Sequence, residues 1–373
     1  MGTRPTDSAI KPPFEHDYFR SRARFNELAE GKGGDLSRLV VPAPFCAPFC
    51  GDELTIDIAS FGRLEAPNKL ITIAGTHGVE APVGAAIHAA LLSQLEPLPT
   101  DLAVVFVHCL NPYGFAMARR TNGSNVDLNR NSILIESERA GAPDRYDDVR
   151  DFLCPPTSPS LFTFLRGAAK KIVRHGFPTL KQAITGGQYD DPKGLFYGGS
   201  VWQPELKLLR TYLTEALSNT ERVITIDTHS GLGKYGTDKI LSDETEVSPS
   251  FLRLSSVFGI DKVQGIHAFG SISSETKGSL SHFVADCFPG ASVDYACHEF
   301  GTYKPLRMLY ALVKENCEFF RKQSLKSTAI NLENVQRRQI LQNVFCPNNE
   351  KWHNTVVVPR GREVFRQALS ALA

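Results

Sequence analysis

No hydrophobic run in this 373-residue chain is longer than a strand, whereas a bilayer-spanning helix needs roughly 18–20 apolar residues. The N-terminal stretch MGTRPTDSAIKPPFEHDYF has no apolar core of the kind a secretory signal carries, so the expected compartment is the cytoplasm. Gly2 and Thr6 have the spacing of a myristoylation site, but Arg4 and Pro5 inside it, and the lack of a following basic cluster, argue against a lipid anchor. Charge of one sign is missing as well. Lys and Arg number 41 against 40 Asp and Glu, a formal net charge of +1, which removes the broad basic footprint that nucleic acid or an anionic membrane would require. The eight cysteines, at 46, 50, 109, 154, 287, 297, 317 and 346, form no CxxC pair. A thiolate zinc site is therefore not expected, and reduced thiols are. Internal repeats, heptads and long low-complexity tracts are absent too.

What is present is the composition of a globular protein, 42% hydrophobic and 22% charged, in a chain long enough for one large α/β domain. Glu15–Gly31 has helical spacing of apolar residues among charges, and Leu54–Ser60 alternates like a half-buried strand. Lys69–Ala74, Leu102–His108, Arg222–Asp227 and Ala291–Ala296 read as buried strands. Pro82–Leu92 reads as a helix with proline in its first turn, and a long helix is expected over Pro305–Lys322. Strands alternating with helices predict an α/β fold: a mostly parallel, mixed central sheet flanked by helices on both faces. The whole chain, 1–373, is read as a single domain with its motif core over about 69–325. A long insertion over about 131–220, rich in Pro and Gly, is expected to run as excursions over the sheet.

Polar residues gather just beyond the strand ends, where open α/β sheets place their ligands. His77 and Glu80, three apart in the turn after Lys69–Ala74, can face one cation. His229 occupies the equivalent place after Arg222–Asp227. Two imidazoles and one carboxylate leave the fourth position of a tetrahedral Zn2+ open, as catalysis requires. Ligands of this kind also suit other divalent ions. Asp227 is a candidate acceptor behind His229. A lone histidine after a strand is more often structural than a ligand, so the weight rests on three strand-end sites converging.

The pieces GTHGVE, NPYGFAMARRTNGSNVDLNRN, DTHSG and HEFGT together resemble the zinc carboxypeptidase family, most closely a bacterial subgroup of uncharacterised members, and the related aspartoacylase and succinylglutamate desuccinylase deacylases. The resemblance implies a carboxypeptidase-like fold and one zinc ion held by His77, Glu80 and His229. It implies that Arg120 steadies the oxyanion, with Arg119 the fallback if the loop aligns one residue differently. Asn129 and Arg130 would grip the substrate's free carboxylate, and Glu299 would be the general base, with Glu275 its competitor. His298 and His108 are read as structural, and Tyr197 and Tyr303 are candidates for a tyrosine that closes over the substrate.

The function implied is a metallocarboxypeptidase cleaving an amide bond next to a free carboxylate, with a small peptide as substrate. An N-acyl amino acid deacylase is the close alternative, and a non-catalytic metal- or carboxylate-binding protein the distant one. No nucleic acid or membrane partner is expected.

Overall fold

The computed structural model describes residues 14–42, 53–217, 219–265, 276–324 and 332–373. Gly2, Thr6, Cys46, Cys50 and Glu275 lie outside the described residues. Among these residues, eight strands form one sheet: β1 (Asp35–Val40), β2 (Thr55–Gly62), β3 (Asn68–Ala74), β4 (Leu102–His108), β5 (Arg222–Gly231), β6 (Asp238–Ser242), β7 (Val263–Gly265) and β8 (Ser292–Gly301). Their order is β1-β2-β4-β3-β5-β8-β6-β7. The central block β4-β3-β5-β8 is parallel throughout. β2 joins β4, and β6 joins β8, in antiparallel fashion. The sheet is mixed and mostly parallel at its centre, as the strand–helix alternation predicted.

The apolar runs explain why the centre is covered on both sides. Successive side chains of a strand point to opposite faces, and β4 is buried along its entire length. On one face Leu70, Val104, Phe106 and Ile224 pack against Val83 and Ile87 of the helix Ala81–Leu92 and Val364 and Phe365 of the helix Val358–Leu372. On the other, Ile71, Ile73, Val105, Val107 and Val223 meet Leu206, Leu209 and Leu213 of the helix Pro204–Ala216 and Phe283 and Val284 of the helix Leu280–Cys287.

Two expectations need correction. Strands β5 and β8 run on to Gly231 and Gly301, so His229 and Glu299 stand within strands rather than after them. Their polar ends stay in the ladder because the two strands continue to pair there. The 131–220 segment is also more regular than its Pro and Gly content suggested, with helices at Tyr146–Leu153, Leu161–His175 and Phe177–Thr185 ahead of Pro204–Ala216. Val149, Leu153, Phe164 and Leu180 of this segment pack with Leu312 and Val313 of the helix Pro305–Ser324. Punctuating Pro and Gly residues stand between these helices and break the segment into separate units. Among the described residues no helix is long and apolar enough to cross a membrane.

Candidate metal centre

The C-terminal ends of β3 and β5, together with β8 beside them, carry the polar residues. β3 leaves the sheet at Ala74, His77 caps a single 3-10 turn, Gly78–Glu80, and Glu80 closes it before the helix Ala81–Leu92. The turn lies flat on the short helix Pro112–Met117 because Gly78 has no side chain: a Cβ there would stand 2.0 Å from the carbonyl carbon of Gly114. The amide of Val79 donates to Arg119 O at 2.8 Å. This backbone seam fixes where His77 and Glu80 point.

His77, Glu80 and His229 converge, each offering an atom within 4.8 Å of the others. His77 Nδ1 is 2.9 Å from Glu80 Oε1, His229 Nδ1 is 3.1 Å from Glu80 Oε2, and the two Nδ1 atoms are 3.1 Å apart. All three side chains are buried. The outer nitrogens are held from behind. His77 Nε2 lies 3.2 Å from Asp127 Oδ1, and His229 Nε2 lies 2.7 Å from Asp227 Oδ2. Asp227 is itself fixed by Thr76 Oγ1, which donates to it at 2.9 Å, and by Tyr295 Oη, which donates at 2.6 Å.

This donor set fits a divalent cation. With each Nε2–H directed at a carboxylate, both Nδ1 lone pairs and the Glu80 carboxylate face one another, which is repulsive unless a positive charge lies between them. A proton can supply that charge. Burial pulls the His229 pKa down, but Asp227 and Glu80 override it and hold the ring well above the usual histidine range. Glu80 shows the converse: burial pushes its carboxyl up, and the two imidazoles, His77 first, bring it below the usual range. Two neutral imidazoles and a carboxylate match the open three-ligand zinc sites of hydrolases.

Arg120 and Glu299 stand beside the cage. Arg120 Nε donates to Asp127 Oδ2 at 2.9 Å, and its Nη1 lies 3.4 Å from Glu80 Oε1. Its guanidinium carbon is 5.1 Å from the ring centroid of Phe196. Glu299 is the register partner of His229 and accepts from Leu232 N at 2.7 Å. Burial, and then the neighbouring Glu80 carboxylate, push its pKa up to about 8.

The remaining candidates are placed differently. Arg119 turns away from the cage: its Nε donates to Glu315 Oε1 at 2.7 Å, its Nη2 to Asn125 Oδ1 at 3.0 Å, and its Cζ lies 3.3 Å from the Phe319 centroid. Asn129 accepts from Leu280 N at 2.9 Å. Arg130 is buried and spends its guanidinium on the carbonyls of Thr185 and Asn129. His298 points to the opposite face, where its Nε2 is 2.9 Å from Asp238 Oδ2, and His108 Nε2 is 3.2 Å from Ser21 Oγ in the core. Tyr197 is buried and its carbonyl accepts from Asp127 N, while Tyr303 lies under the Arg307 guanidinium at 3.9 Å. Sequence reasoning gave no role to Asp127, although it stands in the VDLNRN piece between Arg120 and Asn129. Thr76 and Tyr295 carry no signal in sequence.

A family model described as "Protein of unknown function (DUF2817)" matches residues 14–359. The chain belongs to this family. A comparison with curated protein sequences finds no match. Among solved structures, this DUF2817 chain is similar to carboxypeptidase A from Helicoverpa armigera, at 14% identity over 99% of this chain and 77% of that one, with a TM-score of 0.46. It is similar to bovine thrombin-activatable fibrinolysis inhibitor in complex with tick carboxypeptidase inhibitor, at 12% identity over 83% and 98%, with a TM-score of 0.44. An aspartoacylase family protein from Mesorhizobium loti matches at 15% identity over 84% and 68%, with a TM-score of 0.37.

Proposed function

We propose that the protein is a metal-dependent hydrolase of the metallocarboxypeptidase type, cleaving an amide bond in a peptide or peptide-like substrate. The observation that carries this reading is the buried convergence of His77, Glu80 and His229 with Glu299 and Arg120 alongside. A zinc ion held by those three residues would supply Lewis acidity and a water of lowered pKa.

The chain's own groups supply the rest. Glu299 accepts the proton of the attacking water and delivers it to the leaving nitrogen. A carboxyl raised towards neutrality by burial suits a group that must both take and return a proton. Arg120 is tethered by Asp127 on one edge, which leaves its other edge to face the oxyanion that develops on the carbonyl. Asp127 and Asp227 hold His77 and His229 in the tautomer that presents Nδ1.

An N-acyl amino acid deacylase would use the same five residues. Both release an amino acid from the nitrogen side of the amide, and they differ in whether the acyl side is a peptide or a simple acyl group. Metal analysis of the purified protein, with chelator-sensitive hydrolysis of a panel of peptides and N-acyl amino acids, tests the proposal. Zinc at one equivalent and hydrolysis lost to chelator are expected. Protein that binds no divalent metal, or activity indifferent to chelator, overturns it, and turnover of the N-acyl amino acids alone moves the assignment to the deacylase.

A further inference from the structure

Strand β8 is open along one side only. Val293, Tyr295 and Cys297 are half-buried, while Asp294, Ala296 and His298 between them are buried. Side chains alternate along a strand, so the accessible face is the one that carries Glu299. The antiparallel neighbour β6 widens this face, because Leu241 pairs with Cys297 as Lys239 does with Glu299. Two residues beyond Leu241, just past the end of β6, stands Asp243. Alternation puts it on the same side, and the register carried on puts it level with Tyr295, about 13 Å along the sheet from Glu299. Its carboxylate meets the helix that covers this face: Ser281 Oγ, in the first turn of Leu280–Cys287, donates to Asp243 Oδ2 at 2.7 Å. Asp243 is half-buried, and among the described residues its Oδ1 accepts no hydrogen bond and neither oxygen has an ion-pair partner. Stabilising a helix N-terminus explains the bond from Ser281 and leaves Oδ1 unused.

Open donors stand at the same helix end. Arg130 uses three of the five N–H groups of its guanidinium, two on Thr185 O and one on Asn129 O. One N–H on Nη1 and one on Nη2 remain. Asn129 Oδ1 accepts from Leu280 N, the residue before Ser281, and Asn129 Nδ2 donates to no acceptor among the described residues. Arg130 lies within electrostatic reach of Asp243: burial lowers its pKa, and Asp127 foremost, with Asp243 after it, opposes this. The trough thus presents donors for one carboxylate and, beside them, a carboxylate with no ion-pair partner.

We propose that Asp243 sets the specificity of this site, selecting substrates whose leaving amino acid carries a long cationic side chain of the lysine or arginine kind. This rests on the hydrolase reading and holds for its peptide and its N-acyl form alike, since both release the amino acid from the nitrogen side. The free carboxylate takes the remaining N–H groups of Arg130 and the amide of Asn129, as charge-assisted hydrogen bonds. The apolar stem of the side chain lies along Leu241, Cys297 and the Tyr295 ring, and its cationic head ends on Asp243 Oδ1. An acidic leaving residue meets Asp243 as a like charge, and an apolar one leaves that oxygen without a donor.

The test compares peptides alike except in the last residue, which is lysine, arginine, norleucine or glutamate, on the zinc-loaded full chain. Norleucine keeps the stem of lysine and drops the charge. Wild type is expected to turn over the lysine and arginine peptides with kcat/KM about tenfold or more above norleucine, and glutamate most slowly. Asp243→Asn still accepts from Ser281, and is expected to lose the preference while kcat/KM for norleucine stays within about threefold. A wild type that prefers norleucine or glutamate, or that separates lysine from norleucine by less than about tenfold, overturns the proposal without any variant. So does an Asp243→Asn protein that keeps the preference or slows every peptide equally. Should only N-acyl amino acids be turned over, the Nα-acetyl derivatives of the same residues carry the same expectations. The hydrolase reading fails separately, by the absence of chelator-sensitive turnover of any of these compounds. In that event calorimetry with free lysine and free norleucine decides. Lysine bound about tenfold or more tightly than norleucine by wild type, and not by Asp243→Asn, upholds the role of Asp243. Equal binding of the two, or none, defeats it.

Discussion

Glu299 and His229 are register partners on neighbouring parallel strands, so a carboxylate and a candidate metal ligand 70 positions apart in sequence stand side by side in the sheet. The pairing extends from Arg222–Ser292 to Gly231–Gly301 without a break. A slip of one residue would put His298, which faces Asp238 on the far side, in the place of Glu299. The ladder thereby sets which side chain meets the cage.

If Glu299 moves the proton, Glu299→Gln keeps the shape and the bond from Leu232 N but loses the base. Metal content should stay at wild-type level while kcat falls by roughly 10²–10⁴-fold. Elemental analysis and steady-state kinetics on one preparation check both halves. A variant with wild-type kcat would remove Glu299 from the reaction.

Asp227 reaches the cage through the ring of His229, and Asp127 through the ring of His77 and through Arg120, which lies against Glu80. Asp227→Asn and Asp127→Asn should each weaken metal affinity by roughly 10–100-fold, read by competition against a chromogenic chelator. Asp227→Asn also disturbs the bonds from Thr76 and Tyr295, so the larger effect is expected there. Unchanged affinity in both variants would show that the histidines need no such support.

The adjacent arginines should fail in different ways. Arg119→Met breaks a mostly buried pair with Glu315, and removing one partner of such a pair costs about 3–5 kcal/mol. Its unfolding midpoint should drop while kcat of the folded protein holds. Arg120→Met should cost kcat instead, by roughly 10²–10³-fold if the oxyanion contact is real. Denaturant melts set beside kinetics separate the two, and the reverse pattern would exchange their roles.

Glu205 is buried in the first turn of the helix Pro204–Ala216, where Asn122 Nδ2 donates to its carboxylate at 3.2 Å and its own backbone N–H lies against it. Burial raises its pKa from 4.5 to about 7. The folded state therefore holds a proton that the unfolded chain has released between those values. The stability this group contributes is complete below pH 4.5 and is lost as pH rises through about 7. At about 1.4 kcal/mol per unit, the loss is of order 3 kcal/mol. Glu205→Gln should be more stable than wild type at pH 8 and show no such advantage at pH 4.5. Parallel urea titrations at the two pH values check this, and an equal difference at both would mean that Glu205 is ionised throughout.

Sequence by itself determined the sheet's centre and most of the cage. Apolar runs at 69–74 and 102–108 read as strands covered on both faces, and the structure places them as β3 and β4. The short spacing from His77 to Glu80 is a local constraint, so their convergence could be read without a fold. The edge strands β1 and β7, and β6 beside β7, went unread because they are short or half-exposed and carry no strong period. What only tertiary structure decided is pairing across distance. That Asp127 stands behind His77, that Arg119 belongs to Glu315 while its neighbour Arg120 faces Glu80, and that Arg130 donates to Thr185 O all depend on segments between 40 and 196 positions apart. A guanidinium reads the same in sequence whether it faces a substrate or a carbonyl. Its partners are supplied by the packing of remote segments, and only the folded chain says which ones it meets.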